Sequence, residues 1–182
     1  MVYFSIVVFG KDLKRKVLFS LGDDLIPNSG YLKDCNLYTT KDIISNLEKI
    51  IRGELREYEW GGGQGRIYIT SYQKMSNLED MIYDENLGEI PTKKLLALMK
   101  KWRDFLYDWT EKDKLEEVIR RAFLEIKKNK ESTLLVDGVP RYEVKASDGK
   151  TIINLVIEEE AFKLSPEKYI KELNFSSNFL LA

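Results

Sequence analysis

Histidine is absent from this 182-residue chain. That excludes Ser-His and Cys-His nucleophiles, His-based zinc sites and the commonest general base near neutral pH. Cys35 is the only cysteine, so neither an internal disulfide nor a cysteine-rich metal site is available, and a reducing compartment fits best. Proline is scarce, at 4 residues, and glycine modest, at 11, which argues against a long flexible linker. An excess of basic charge is also missing. The 29 Lys and Arg are matched by 30 Asp and Glu, which weighs against general nucleic-acid binding. The apolar run Met1-Val2-Tyr3-Phe4-Ser5-Ile6-Val7-Val8-Phe9 lacks a basic leader and a cleavage signal and falls short of the ~20 residues a membrane span needs, so it reads as a buried strand. What is present is a globular balance of 43% hydrophobic and 32% charged residues, expected to be cytoplasmic.

The pattern along the chain is α+β. Val2–Phe9 and Lys16–Leu21 read as a hairpin around a Gly10-Lys11-Asp12 turn, followed by a surface loop over Gly22–Asp34. Thr39 or Thr40 caps a helix whose stripe is Ile43, Ile44, Leu47, Ile50, Ile51 and Leu55 and whose end is set by the glycines after Trp60. Residues 66–72 form a strand, and residues 79–83 fit a short strand or a turn equally. Pro91 or Thr92 opens a helix carrying Leu95, Leu98, Met99, Trp102, Leu106 and Trp109. A further helix spans Lys112–Lys128 with Leu115, Val118, Ile119, Ala122, Phe123 and Ile126 on one face. Strands at 133–136, 141–145 and 151–157, joined by Asp137-Gly138 and Ser147-Asp148-Gly149-Lys150, make a three-stranded meander. Ser165 and Pro166 start a short last helix to Leu173, and an apolar tail follows over 175–182. The expected organisation is an α+β lobe over 1–110, with N-terminal antiparallel strands and two packed helices, and a helix-plus-meander lobe over 111–182, packed as one unit. Charge nearly cancels in each lobe and assigns them no different partners.

Three segments invite chemistry. Trp60-Gly61-Gly62-Gly63-Gln64-Gly65-Arg66 is glycine-rich, and backbone N–H groups in such a loop cradle phosphate. The phosphate loop, however, requires Gly-Lys-Ser/Thr opening a helix, whereas the order here is helix, loop, strand; a connection with Trp60 packed over its edge is favoured. Glu79, Asp80, Asp84, Glu85 and Glu89, interleaved with Met81, Ile82, Tyr83 and Leu87, offer carboxylates for acid–base or divalent-ion work, for a solvated loop, or for docking a basic protein. The spacing matches no EF-hand loop. Ser71, Tyr72 and Lys74 suggest a Ser-Tyr-Lys set, but on a strand they divide between two faces. Arg120, Arg121, Lys127, Lys128 and Lys130 are basic residues at a helix C-terminal end, as the helix dipole favours. Trp102 and Trp109 belong to an apolar stripe, and Glu158-Glu159-Glu160 suits a solvated turn.

The order Trp60-Gly61-Gly62, then a strand, then Glu89-Ile90-Pro91-Thr92-Lys93-Lys94-Leu95-Leu96 running into Met99-Lys100-Lys101-Trp102-Arg103-Asp104-Phe105-Leu106, resembles small immunity proteins of bacterial polymorphic-toxin and contact-dependent growth inhibition systems. The resemblance covers residues 55–109. It implies a protein with no catalytic residues, cofactor or metal of its own, which binds a cognate toxin and blocks its active site or substrate channel. A nuclease is one such toxin, met by acidic side chains that stand in for phosphates. The surface this assigns to the toxin is Trp60, Tyr72, Glu79, Asp80, Tyr83, Asp84, Glu85 and Glu89, with no direct nucleic-acid or membrane contact. Two other readings stay open: a carboxylate- or divalent-metal-dependent enzyme acting on a nucleotide, which needs a deep pocket gathering Asp and Glu, and an adaptor that adds a strand to a partner at a sheet edge within 132–157.

Overall fold

A computed structural model of the chain describes residues 2–9, 15–23, 35–62, 67–109, 112–129, 131–132, 134–136 and 138–175. It is mixed α+β and consists of two compact units, Leu21–Asp108 and Tyr3–Ser20 with Trp109–Leu181. The Gly10–Asp12 turn, the tail from 176 and most of the 22–34 loop lie outside the described residues.

The first unit carries helix α1 (Leu37–Arg52), strands β3 (Tyr58–Gly62), β4 (Ile67–Ser71), β5 (Met75–Asp80) and β6 (Glu85–Pro91), and helix α2 (Thr92–Asp108). The strands form an antiparallel meander in chain order. The α1 stripe is buried at Ile43, Ile44, Leu47 and Ile50, as its spacing demands. Both ends of α1 differ from expectation. Asn36, not Thr39 or Thr40, is the cap; its side chain accepts from Thr39 N at 2.8 Å. Gly53, in the left-handed region at φ 78°, stops the helix by donating to Ile50 and Lys49 carbonyls, so Leu55 is outside it and Trp60 lies in a strand. The glycines after Trp60 therefore do not end the helix; Gly61 and Gly62 pair with Tyr68 and Ile67.

Helices α1 and α2 pack together. Lys100 Nζ meets Glu48 at 2.6 Å, and Lys41 lies over the Tyr107 ring at 5.0 Å, so the start of one helix meets the end of the other and the pair is antiparallel. Every residue of the expected α2 stripe is buried, and the Trp102 indole N–H donates to the Cys35 carbonyl at 2.8 Å. Helix on one face of a sheet gives a two-layer core. Strand β6 was not anticipated: Gly88, Pro91 and two glutamates have poor strand propensity, and its order comes from pairing with β5.

The second unit contains β1 (Val2–Phe9), β2 (Arg15–Asp23), helix α3 (Lys112–Asn129), β7 (Leu134–Val136), β8 (Val139–Lys145), β9 (Ile152–Val156), a 3-10 helix (Glu159–Lys163), α4 (Pro166–Lys171) and β10 (Leu173–Phe175). The expected meander is present as β7-β8-β9, but it is half of a six-stranded mixed sheet in the order β10-β2-β1-β9-β8-β7. Strand β1 runs parallel to β9, from Ser5 opposite Ile152 to Val8 opposite Leu155. The units part in sequence at Asp108–Trp109, and most of the first two strands, within Tyr3–Ser20, groups with the residues that follow. Helix α3 packs on β8, β9 and α4. Its Phe123 stacks on Tyr169 with ring centres 4.3 Å apart, and Phe162 stands edge-on to Tyr142 at 5.4 Å. Ser165 caps α4 with Pro166 behind it, as the sequence indicates.

Candidate functional site

The register of the four-stranded sheet sorts its side chains into two faces. Tyr58, Ser71, Ser76 and Ile90 align across the strands, as do Trp60, Ile69 and Leu78; this face is largely buried. The opposite face aligns Glu59, Thr70, Asn77 and Glu89, with Tyr68, Glu79 and Asn86 in the neighbouring row. Glu59, Glu79 and Glu89 are exposed. At ~4.8 Å per strand, the strand positions of Glu59 on β3 and Glu89 on β6 stand about 14 Å apart in one row, with Glu79 on β5 in the next.

The four strands contain five carboxylates, Glu59, Glu79, Asp80, Glu85 and Glu89, and neither Lys nor Arg. Three of them, Glu59, Glu79 and Glu89, share the outer face with no cation in the strands, so their negative potentials add there, within about one to two screening lengths at physiological salt. The Tyr68 hydroxyl donates to Glu59 Oε2 at 2.6 Å. That hydrogen bond, with lesser help from burial and the Glu59 and Glu79 charges, holds the Tyr68 phenol above its ordinary pKa, so it remains a neutral donor that orients Glu59.

The β5–β6 hairpin closes through Met81–Asp84. Asp80 is 2% exposed, and its Oδ1 accepts from Ile82 N at 2.9 Å and Tyr83 N at 3.3 Å. Asp84 is the one described non-glycine residue with positive φ, at 52°, a conformation aspartate tolerates in turns. A register shift at Leu78/Glu79 and Gly88 at φ 111° adjust the hairpin just inside its tip. The β4–β5 turn, with exposed Tyr72 and Lys74, lies at the other end of β5.

The eight residues assigned to a partner surface consequently divide. Glu79, Tyr83, Asp84, Glu85 and Glu89 come together on one hairpin and are exposed. Trp60 does not join them: it is 7% exposed on the inner face, and its indole nitrogen has no hydrogen-bond partner among the described residues. Asp80 is likewise inward, engaged with the turn. Tyr72 is exposed but at the opposite end of the sheet. Glu59 was missed; the alternation Tyr58-Glu59-Trp60, apolar on either side of a glutamate, was its signal.

Ser71, Tyr72 and Lys74 form no reactive set. Ser71, Ser76 and Thr92 are fully buried hydroxyls in one chain: Ser76 Oγ donates to Ser71 Oγ at 3.0 Å and lies 3.0 Å from Thr92 Oγ1, which donates to the Tyr72 carbonyl at 2.6 Å. The chain satisfies polar groups where α2 leaves the sheet. Tyr72 and Lys74 lie in a turn, not on a strand. Among the described residues, no group of three or more Cys, Asp or Glu side chains is placed to hold a metal ion, and no helix is long and apolar enough to cross a membrane. A strand edge exists at β7, but it is three residues long. No protein-family model, curated protein or solved structure matches the chain.

Proposed function

We propose that this chain is a toxin-neutralising immunity protein, which binds a basic cognate toxin domain in the cytoplasm and blocks it without catalysis. The observation that carries the reading is the outer face of the four-stranded sheet, where Glu59, Glu79 and Glu89 are exposed and none of the four strands has a cation to neutralise them. Such a face attracts a cationic cleft over long range, raises the encounter rate and rejects anionic partners. A toxin whose substrate is anionic presents a cleft of that kind.

The reading requires a secreted protein with a C-terminal toxin domain encoded immediately upstream. With that domain in hand, the Glu59→Lys/Glu79→Lys/Glu89→Lys variant is expected to lose at least tenfold in affinity at low salt and to stop protecting cells that express the toxin. Calorimetry checks the first outcome and a growth assay the second. All three residues are exposed, so circular dichroism should be unchanged. Wild-type affinity in the folded triple variant would remove this face from the interface.

A further inference from the structure

Met81, Ile82 and Tyr83 are consecutive apolar or aromatic side chains at a hairpin tip, exposed by 58%, 65% and 64%. Tips of hairpins ordinarily carry Gly, Asn, Asp or Ser, because those residues suit turn geometry and water. Apolar and aromatic surface so exposed in such a place has an unfavourable contact with water that association would remove.

The tip is also held in shape. The Asp80 carboxylate, itself buried, accepts from two successive tip amides, and Asp84 closes the turn in the left-handed region. A segment already fixed in its bound shape loses little conformational freedom on docking. Tyr is among the residues that concentrate binding energy, and Met adapts its shape to an irregular pocket.

Charge decides what the tip meets. From Met75 to Pro91 the hairpin has Glu79, Asp80, Asp84, Glu85 and Glu89 and no Lys or Arg. An anionic lipid surface would repel it, and so would a second copy of the same face. The edge strand β6 bears Glu85, Glu89 and Pro91 beside a register shift, features that discourage strand addition and leave the tip as the point of contact.

We propose that Met81–Asp84 is a pre-formed anchor that seats in an apolar pocket rimmed by Lys or Arg on the toxin domain, and that Asp80 is the positioning residue that keeps the anchor in shape. This rests on the immunity reading and deepens it: the outer carboxylates govern arrival, and the tip governs departure.

The test measures association and dissociation rates separately, with the toxin domain encoded upstream as the probe. Ile82→Ser/Tyr83→Ser leaves charge unchanged and is expected to speed dissociation at least fiftyfold with association within threefold. The outer-face triple variant should instead slow association and lose its salt dependence. Asp80→Ala should weaken binding through dissociation, and Asp80→Asn, which retains the accepting oxygen, should restore it; a purely electrostatic Asp80 would not be rescued. If wild type binds and the Ile82→Ser/Tyr83→Ser variant dissociates within threefold of it, the anchor is overturned while the immunity reading stands. If wild type does not bind that domain, both fall.

Discussion

Strands β4 and β9 show what distinguishes the two sheets. Along β4 burial alternates, with Ile67, Ile69 and Ser71 buried and Tyr68 and Thr70 half-exposed. Along β9 four successive residues, Ile153 to Val156, are buried. A strand with one wet face must write its polarity with period two, whereas a strand buried on both faces reads as a continuous apolar run. Charge follows the same division. Strand β8 mixes Arg141, Glu143 and Lys145, with Arg141 donating to buried Asn154 and pairing with Glu143 at 3.5 Å. The four-stranded sheet has no cation within its strands to make such pairs, and Glu59, Glu79 and Glu89 stay exposed on its outer face.

Alanine scanning provides the largest expected effects and the sharpest break of this comparison. Ile153→Ala and Leu155→Ala in β9, and Ile67→Ala and Ile69→Ala in β4, should each cost ~2–5 kcal/mol by urea denaturation. The remaining positions separate the strands. Val156→Ala should still cost at least ~1 kcal/mol, whereas Tyr68→Ala and Thr70→Ala should cost less than that. Equal losses at odd and even positions of β4 would show that its outer face is covered.

Next in size is the buried hydroxyl chain. Thr92→Val keeps the shape of the side chain but takes the hydroxyl donor from the Tyr72 carbonyl and a polar neighbour from buried Ser76, at a cost of ~1–3 kcal/mol. Amide exchange should locate the loss at the junction of β4, β5 and α2, with β8 and β9 unaffected.

Acid gives the smallest effect and asks whether both units feel it. The hydrogen bond from Lys100, with its charge, holds the Glu48 carboxyl below the ordinary 4.5. For Asp148, in the β8–β9 turn, burial pushes the pKa up, but hydrogen bonds from Thr151 and Lys150 outweigh it and the net shift is downward from 3.8. Both carboxyls therefore bind protons less readily folded than unfolded. Their stabilisation is fully present above the unfolded values and is lost as pH falls below them through the folded ones. Glu48→Gln and Asp148→Asn should each flatten the acid limb of a Tm-versus-pH curve by no more than ~2 °C, because both groups are partly exposed. No flattening in either variant would place the acid sensitivity elsewhere.

Much of this fold was legible in the sequence where local chemistry and periodicity agreed. Helices α2 and α3 and the β7-β8-β9 meander follow directly from stripes and Asp-Gly turns, and α4 from Ser165-Pro166. Local reading failed where a single backbone geometry or a distant partner decided. Gly53 ends α1 in mid-pattern because its left-handed conformation captures two carbonyls, although the apolar spacing continues to Leu55. Strand β6 exists because β5 lies beside it. The pairing of β1 with β9 has no signal in either segment alone. The site was legible as composition but not as geometry: an acidic stretch with Tyr83 could be seen, while the inward turn of Asp80, the burial of Trp60 and the arrival of Glu59 on the same face needed the register.

The parallel pairing of Ser5–Val8 with Ile152–Leu155 carries a cost in time. About 140 residues lie between the two strands, so a ribosome releases β9 on the order of ten seconds after β1 at ordinary elongation speeds. Once residue 108 has emerged, residues 35–108 have all their sequence partners in hand, while β1 still waits for β9. A nascent chain is then open to chaperone capture, and to mispairing with other nascent chains, along the β1 edge that β9 later covers.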